Sequence, residues 1–132
     1  MINDKISDLL TRIRNANNAK HQLVEVPCTK MTHGIVEILE EEGYIKSFEY
    51  LQEGNQISIL IILKYLGKEK KPGITKLERI SKPGMRVYTN SKQIPDILGK
   101  LGIGIISTSK GVMTTIAAKN LKIGGEFLCK IY

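Results

Sequence analysis

Ile2, Ile6, Leu9, Leu10 and Ile13 recur at three- and four-residue spacing, the period of one buried helical face. The pattern predicts a helix from about Asp4 to Asn18, capped by Asn3 or Asp4. Its polar positions carry Lys5, Thr11, Arg12, Arg14 and Asn15, which suit a solvated face or a binding face equally. Leu23-Val24-Glu25-Val26 reads as a short strand stopped by Pro27. Met31, Ile35, Ile38 and Leu39 stripe a second helix from Thr29 or Lys30 to Glu42, with Gly43 as its left-handed terminator. The period then shortens to that of strands. Tyr44–Leu51 and Ile57–Tyr65 are strands joined by a loop at Gln52–Gln56. Ile57–Leu63 is almost continuously apolar and should be central.

The pattern changes again after Gly67–Gly73, a stretch of glycines, lysines and one proline that reads as a linker. Beyond it come short strands at Ile74–Ser81 and Arg86–Thr89, separated by Lys82-Pro83-Gly84, a turn with proline second and glycine third. Ile94–Leu101 is one or two helical turns. Ile103–Thr108 and Val112–Thr115 are strands, Lys122–Gly125 is a turn, and Glu126–Tyr132 is a last strand. The expected fold class is α+β in two small domains. Residues 1–66 form an N-terminal α-β-α-β-β domain whose helices cover one face of a small sheet. Residues 67–73 link it to a mainly β C-terminal domain, 74–132, with a short helix.

Composition adds the sign of the partner. The chain has 132 residues, 42% of them hydrophobic, and a formal charge of +7. A basic balance of that size favours a polyanion, nucleic acid before an acidic membrane. The charge is segregated. Residues 37–53 hold six glutamates against Lys46, and residues 64–92 hold nine basic residues against Glu69 and Glu78. The acidic part should face away from a polyanion and the basic part toward it. With no Trp and only two Phe and five Tyr, a base-stacking platform is disfavoured. No membrane-spanning run, signal or transit segment is expected. Cys28 and Cys129 form no CxxC pair, and His21 and His33 lack partners at metal spacing, so no metal or cofactor is expected.

The densest chemistry is Ser107-Thr108-Ser109-Lys110-Gly111, between the apolar pairs Ile105-Ile106 and Val112-Met113. Three hydroxyls donate and accept, a lysine can meet a phosphate, and a glycine admits a close backbone. No carboxylate or histidine stands beside them to make a nucleophile, so no catalytic residue and no small-molecule substrate is assigned. Gly102-Ile103-Gly104 precedes a strand and lacks the third glycine of a dinucleotide site. An ordinary polar hairpin turn remains the alternative reading of residues 107–111.

Five blocks in one order resemble the family of small-subunit ribosomal protein eight, in its bacterial and organellar form. They are Asp8–Ala16, Ile38–Ile45, Arg79–Tyr88, Gly102–Lys119 and Gly124–Cys129. The resemblance implies a structural, non-enzymatic protein that binds a stem in the central domain of small-subunit rRNA and helps build the platform beside neighbouring ribosomal proteins. By the same resemblance the principal RNA surface is Ser107, Thr108, Ser109, Lys110 and Gly111, with Arg86, Tyr88 and Glu126 beside it. Thr11, Arg14, Asn15 and Lys30 would make a secondary contact. Thr115-Ile116-Ala117-Ala118-Lys119 departs from the Asp-Arg-Glu-Ala-Arg usual in the family, so no contact is carried onto Thr115 or Ile116. An alternative within the family is a translational regulator acting on messenger RNA outside the ribosome. Asn90–Gly99 is similar to plastid members, which implies the chloroplast stroma, with the bacterial cytoplasm as the alternative.

Overall fold

The computed structural model describes residues 4–92 and 102–132, and they pack as two compact units. The first unit is Lys5–Thr75; Asp4 belongs with the second, which continues from Lys76.

In the first unit, α1 (Lys5–Ala19) buries Ile6, Leu9, Leu10 and Ile13 of the expected stripe, and Ala16 besides. It stops without a glycine: Lys20 itself takes φ +57°, and the His21 N–H donates to the Ala16 carbonyl. β1 (Leu23–Pro27) leads to α2 (Lys30–Glu41). Thr29 caps α2 through a reciprocal pair in which Thr29 Oγ1 accepts from the Thr32 N–H and Thr32 Oγ1 accepts from the Thr29 N–H. At the other end Gly43 sits at φ +79°, and the Gly43 and Tyr44 amides close back onto Glu40 and Leu39. β2 (Ile45–Glu53) and β3 (Gln56–Leu63) form a hairpin around Gly54-Asn55, tighter than the loop expected.

The three strands lie in the antiparallel order β1-β3-β2, so the most apolar strand is indeed central. Val24 and Val26 stand opposite Ile61 and Ile59, and all four are buried. α1 packs on β1, α2 packs on β2, and the helices pack on each other.

The stretch expected as a linker lies inside this unit. β4 (Tyr65–Leu66) pairs with β5 (Lys71–Pro72) across a turn in which Gly67 and Lys70 take positive φ. Tyr65 Oη donates to the His21 carbonyl, Lys20 Nζ donates to the Glu69 carbonyl, and Asn17 Nδ2 donates to the Ile74 carbonyl. Side chains from the end of α1 thus fasten a segment whose composition alone reads as loose.

The second unit is a five-stranded antiparallel sheet around β10 (Gly125–Ile131). β6 (Leu77–Arg79) and β7 (Tyr88–Thr89) pair with successive stretches of β10. β8 (Ile103–Thr108) also pairs with β10 and carries β9 (Gly111–Thr114) beyond it. The strands foreseen at Ile74–Ser81 and Arg86–Thr89 are shorter: regular pairing with β10 is confined to Leu77–Arg79 and Tyr88–Thr89, and Ile80, Ser81 and Val87 meet β10 only through irregular backbone hydrogen bonds. A helix that the sequence pattern did not show, α3 (Thr115–Asn120), follows β9, with Thr114 Oγ1 accepting from the Ala117 N–H. Ala118 of α3 packs on Ile106 with Met113. The predicted helix at Ile94–Leu101 lies outside the described residues, as do Ile2 and Asn3 and most of Asn90–Gly99.

Candidate nucleic-acid interface

Ser107 is the last but one residue of β8, and its neighbours are fixed by register. Glu126 of β10 stands opposite Ser107 on one side and opposite Tyr88 of β7 on the other. Tyr88, Glu126 and Ser107 therefore form one row across three strands, and directly opposed side chains share a face. The residues singled out at 88, 107 and 126, far apart in sequence, are brought together by the closing of the sheet.

The hairpin beyond Ser107 divides its hydroxyls by task. Thr108 pairs with Gly111, leaving Ser109-Lys110 as a two-residue loop. Thr108 Oγ1 donates to the Gly111 carbonyl at 2.9 Å and accepts from the Lys110 N–H at 3.1 Å. That hydroxyl is spent on shaping the turn. Gly111 takes φ +110° in open space, a conformation that L side chains rarely adopt. The Ser107 and Ser109 hydroxyls make no hydrogen bond among the described residues, and Lys110 is exposed. Two hydroxyls and an ammonium are left for a partner.

Glu126 is held rather than displayed. Its Oε2 accepts from Arg86 Nη1 at 3.0 Å and from Ser81 Oγ. Ser81 is fully buried, and its oxygen also accepts from the Val87 N–H at 3.1 Å. Burial pushes the Glu126 carboxyl up, but the hydrogen bonds from Ser81 and Arg86 and the charges of Arg86 and Arg79 outweigh it, leaving it below its ordinary value. The hydrogen bond to Glu126 in turn raises Arg86. Sequence reasoning missed Ser81. Its only signal was its place just before the Pro-Gly turn, whose ends, Lys82 and Met85, exchange backbone hydrogen bonds. That turn presents Met85, 73% exposed, and leads to Tyr88, 71% exposed. Behind the row, Arg79 binds both carboxylate oxygens of Asp4 and the Leu128 carbonyl.

The residues of the first unit lie on their own surface. Thr11, Arg14 and Asn15 are exposed on α1 at a spacing that gathers them on one side, and Lys30 is exposed at the first position of α2. Arg12, in the same helix, is otherwise engaged: its guanidinium meets Asp8 at 3.2 Å and donates to the Glu25 carbonyl at 2.7 Å. Thr115 is buried and Ile116 exposed, and neither belongs to the row. Among the described residues no helix is long and apolar enough to cross a membrane, and no group of three metal-ligating side chains gathers.

A family model described as ribosomal protein S8 matches residues 4–132. Small ribosomal subunit protein uS8c of the diatom Phaeodactylum tricornutum is 61% identical over 132 residues, the whole of both chains. The uS8c protein of the alga Gracilaria tenuistipitata is 60% identical, also over the whole of both chains. Small ribosomal subunit protein uS8 of the bacterium Nostoc punctiforme is 53% identical over 130 residues, 98% of each chain.

Proposed function

Because this chain belongs to the ribosomal protein S8 family of the small subunit, we propose that it binds directly to a stem in the central domain of small-subunit rRNA and helps to assemble the platform there. The observation that carries the reading is the row Tyr88–Glu126–Ser107, ending in a turn with two uncommitted hydroxyls and a free lysine. Hydroxyls and a short cation on a rigid hairpin suit the shallow minor groove of an RNA helix, where 2′-hydroxyls and base edges are accessible. Sequence is read there by Ser107 and Ser109. Thr108 and Gly111 fix the shape of the turn, and Glu126 sets the direction of Arg86. Thr11, Arg14, Asn15 and Lys30 add contacts to the phosphate backbone, which orient the protein without specifying sequence. The role is structural, in contact with rRNA and neighbouring ribosomal proteins, and the setting is the plastid ribosome, the form named for the algal relatives.

The test is hydroxyl-radical footprinting of small-subunit rRNA with the purified chain. Protection confined to a central-domain stem, and surviving in high salt, is the expected result. Protection spread over the rRNA, or lost uniformly as salt rises, overturns the proposal.

A further inference from the structure

The sheet of the first unit has a second face, and its chemistry is the reverse of the chain's average. Strand alternation turns Val24, Val26, Ile59 and Ile61 toward the helices, where all are buried. The opposite side therefore carries Leu23, Leu51, Leu60 and Ile62. Leu23 is 55% exposed and the other three are half-buried. Glu25 and Glu49 both stand opposite Leu60, one on each neighbouring strand, and Glu53 follows on β2. The paired positions of this side hold no lysine or arginine; Lys46 sits in the bulge of β2, and Arg12 of α1 reaches the Glu25 carbonyl.

An antiparallel sheet commonly leaves one face to water, and that face is then polar. Here Leu23, Leu51, Leu60 and Ile62 share the face with Ser47, Ser58 and Gln56, and three carboxylates stand among them. We infer that this face docks a basic segment of a neighbouring protein of the small subunit, its lysines or arginines meeting Glu25, Glu49 and Glu53 and its apolar side chains covering Leu60 and Ile62. The inference rests on the family assignment for the surroundings and on charge for the occupant. RNA is repelled by three carboxylates among apolar side chains. A second copy docked face to face would set those carboxylates against each other. A basic polypeptide satisfies both the charge and the apolar surface. This face also accounts for part of the acidic run at residues 37–53, which rRNA binding leaves unused.

Photocrosslinking of the full chain within purified small ribosomal subunits tests this. A benzophenone amino acid is placed at exposed residue 23 in one version and at residue 109 in another. The expected result is an adduct from residue 23 to a Lys/Arg-rich segment of another small-subunit protein. The double variant Glu25→Lys, Glu49→Lys should lose that adduct while keeping the unfolding curve of the parent. An adduct from residue 23 to rRNA or to a second copy, or none in assembled subunits, overturns the inference. The version at residue 109 reads the rRNA proposal independently. If it finds no rRNA while residue 23 finds a basic protein, the rRNA site fails and the docking face stands. Absence of the chain from the subunits overturns both.

Discussion

Arg86 and Glu126 are joined by a 3.0 Å hydrogen bond between guanidinium and carboxylate, although forty residues separate them. The bond holds an exposed cation over a fixed point of the sheet. Ser81 completes the arrangement from below, tying the same carboxylate oxygen to the Val87 amide.

The first prediction follows from the depressed Glu126 carboxyl. The folded chain keeps this group ionised to lower pH than the unfolded chain, whose value is the ordinary 4.5. Its contribution to stability is therefore complete above the unfolded value and disappears as pH falls through the folded one. Thermal unfolding between about pH 6 and pH 3 should show a steeper loss of Tm in the parent than in Glu126→Gln. Parallel profiles would remove Glu126 from the stabilising network.

The free and the spent hydroxyls of the turn should behave differently in binding. Ser107→Ala and Ser109→Ala should each weaken binding to the cognate stem by roughly 1–3 kcal/mol with unfolding unchanged. Replacing Lys70 and Lys71 should instead flatten the salt dependence by about one unit of slope per lost phosphate contact. Filter binding across a salt series separates the two. Equal, sequence-blind losses would show that the turn carries no specificity.

Thr108 should act through geometry. Thr108→Val removes the acceptor for the Lys110 amide and the donor to Gly111, whereas Thr108→Ser keeps both. Amide exchange at Lys110 should quicken only in the valine variant, and RNA binding should fall with it. Unchanged exchange in Thr108→Val would mean that the hydroxyl does not shape the turn.

Gly125 of β10 lies close against the end of β8. A Cβ there would come 2.1 Å from the Ser107 carbonyl oxygen, which is backbone and cannot swing aside. Gly125→Ala should cost about 1–3 kcal/mol in urea unfolding, as overpacking does, and displace Ser107 from its row. An alanine variant of parental stability and affinity would contradict this contact.

The two thiols should differ in reactivity. Burial pushes the Cys129 thiol up to about 12, whereas Cys28 is partly exposed. Iodoacetamide at about pH 8 should modify Cys28 first and reach Cys129 only when the chain unfolds, because the thiolate is the reacting species. Simultaneous labelling of both would show that the second unit opens readily.

Long periodic stretches were legible in the sequence because burial enforces their period. The stripes of α1 and α2, the Thr29 and Gly43 boundaries and the central place of β3 all follow from local pattern. α3 was not legible: Thr115 and Ile116 are β-branched and prolong the look of β9, and only the Thr114 cap marks the change. The hairpin at Tyr65–Pro72 was hidden for another reason. Its lysines and glycines read as loose chain until Lys20 and Tyr65 tie it to the end of α1. For the interface, the hydroxyl turn stood out by composition and its companions came through family resemblance. Ser81 escaped because a buried serine has no periodic signature, and its task exists only once β10 brings Glu126 alongside.

β10 is the common neighbour of β6, β7 and β8, so the second unit has a completion step. A ribosome making this chain releases β6, β7, β8 and β9 before the strand that joins them. Until Gly125 and the residues after it emerge, Arg86 has no carboxylate to meet and Ser107 has no row to stand in. A chain interrupted before that point carries the hydroxyl turn but not the surface around it. The proposed RNA surface is therefore completed only late in synthesis, by the last strand of the chain.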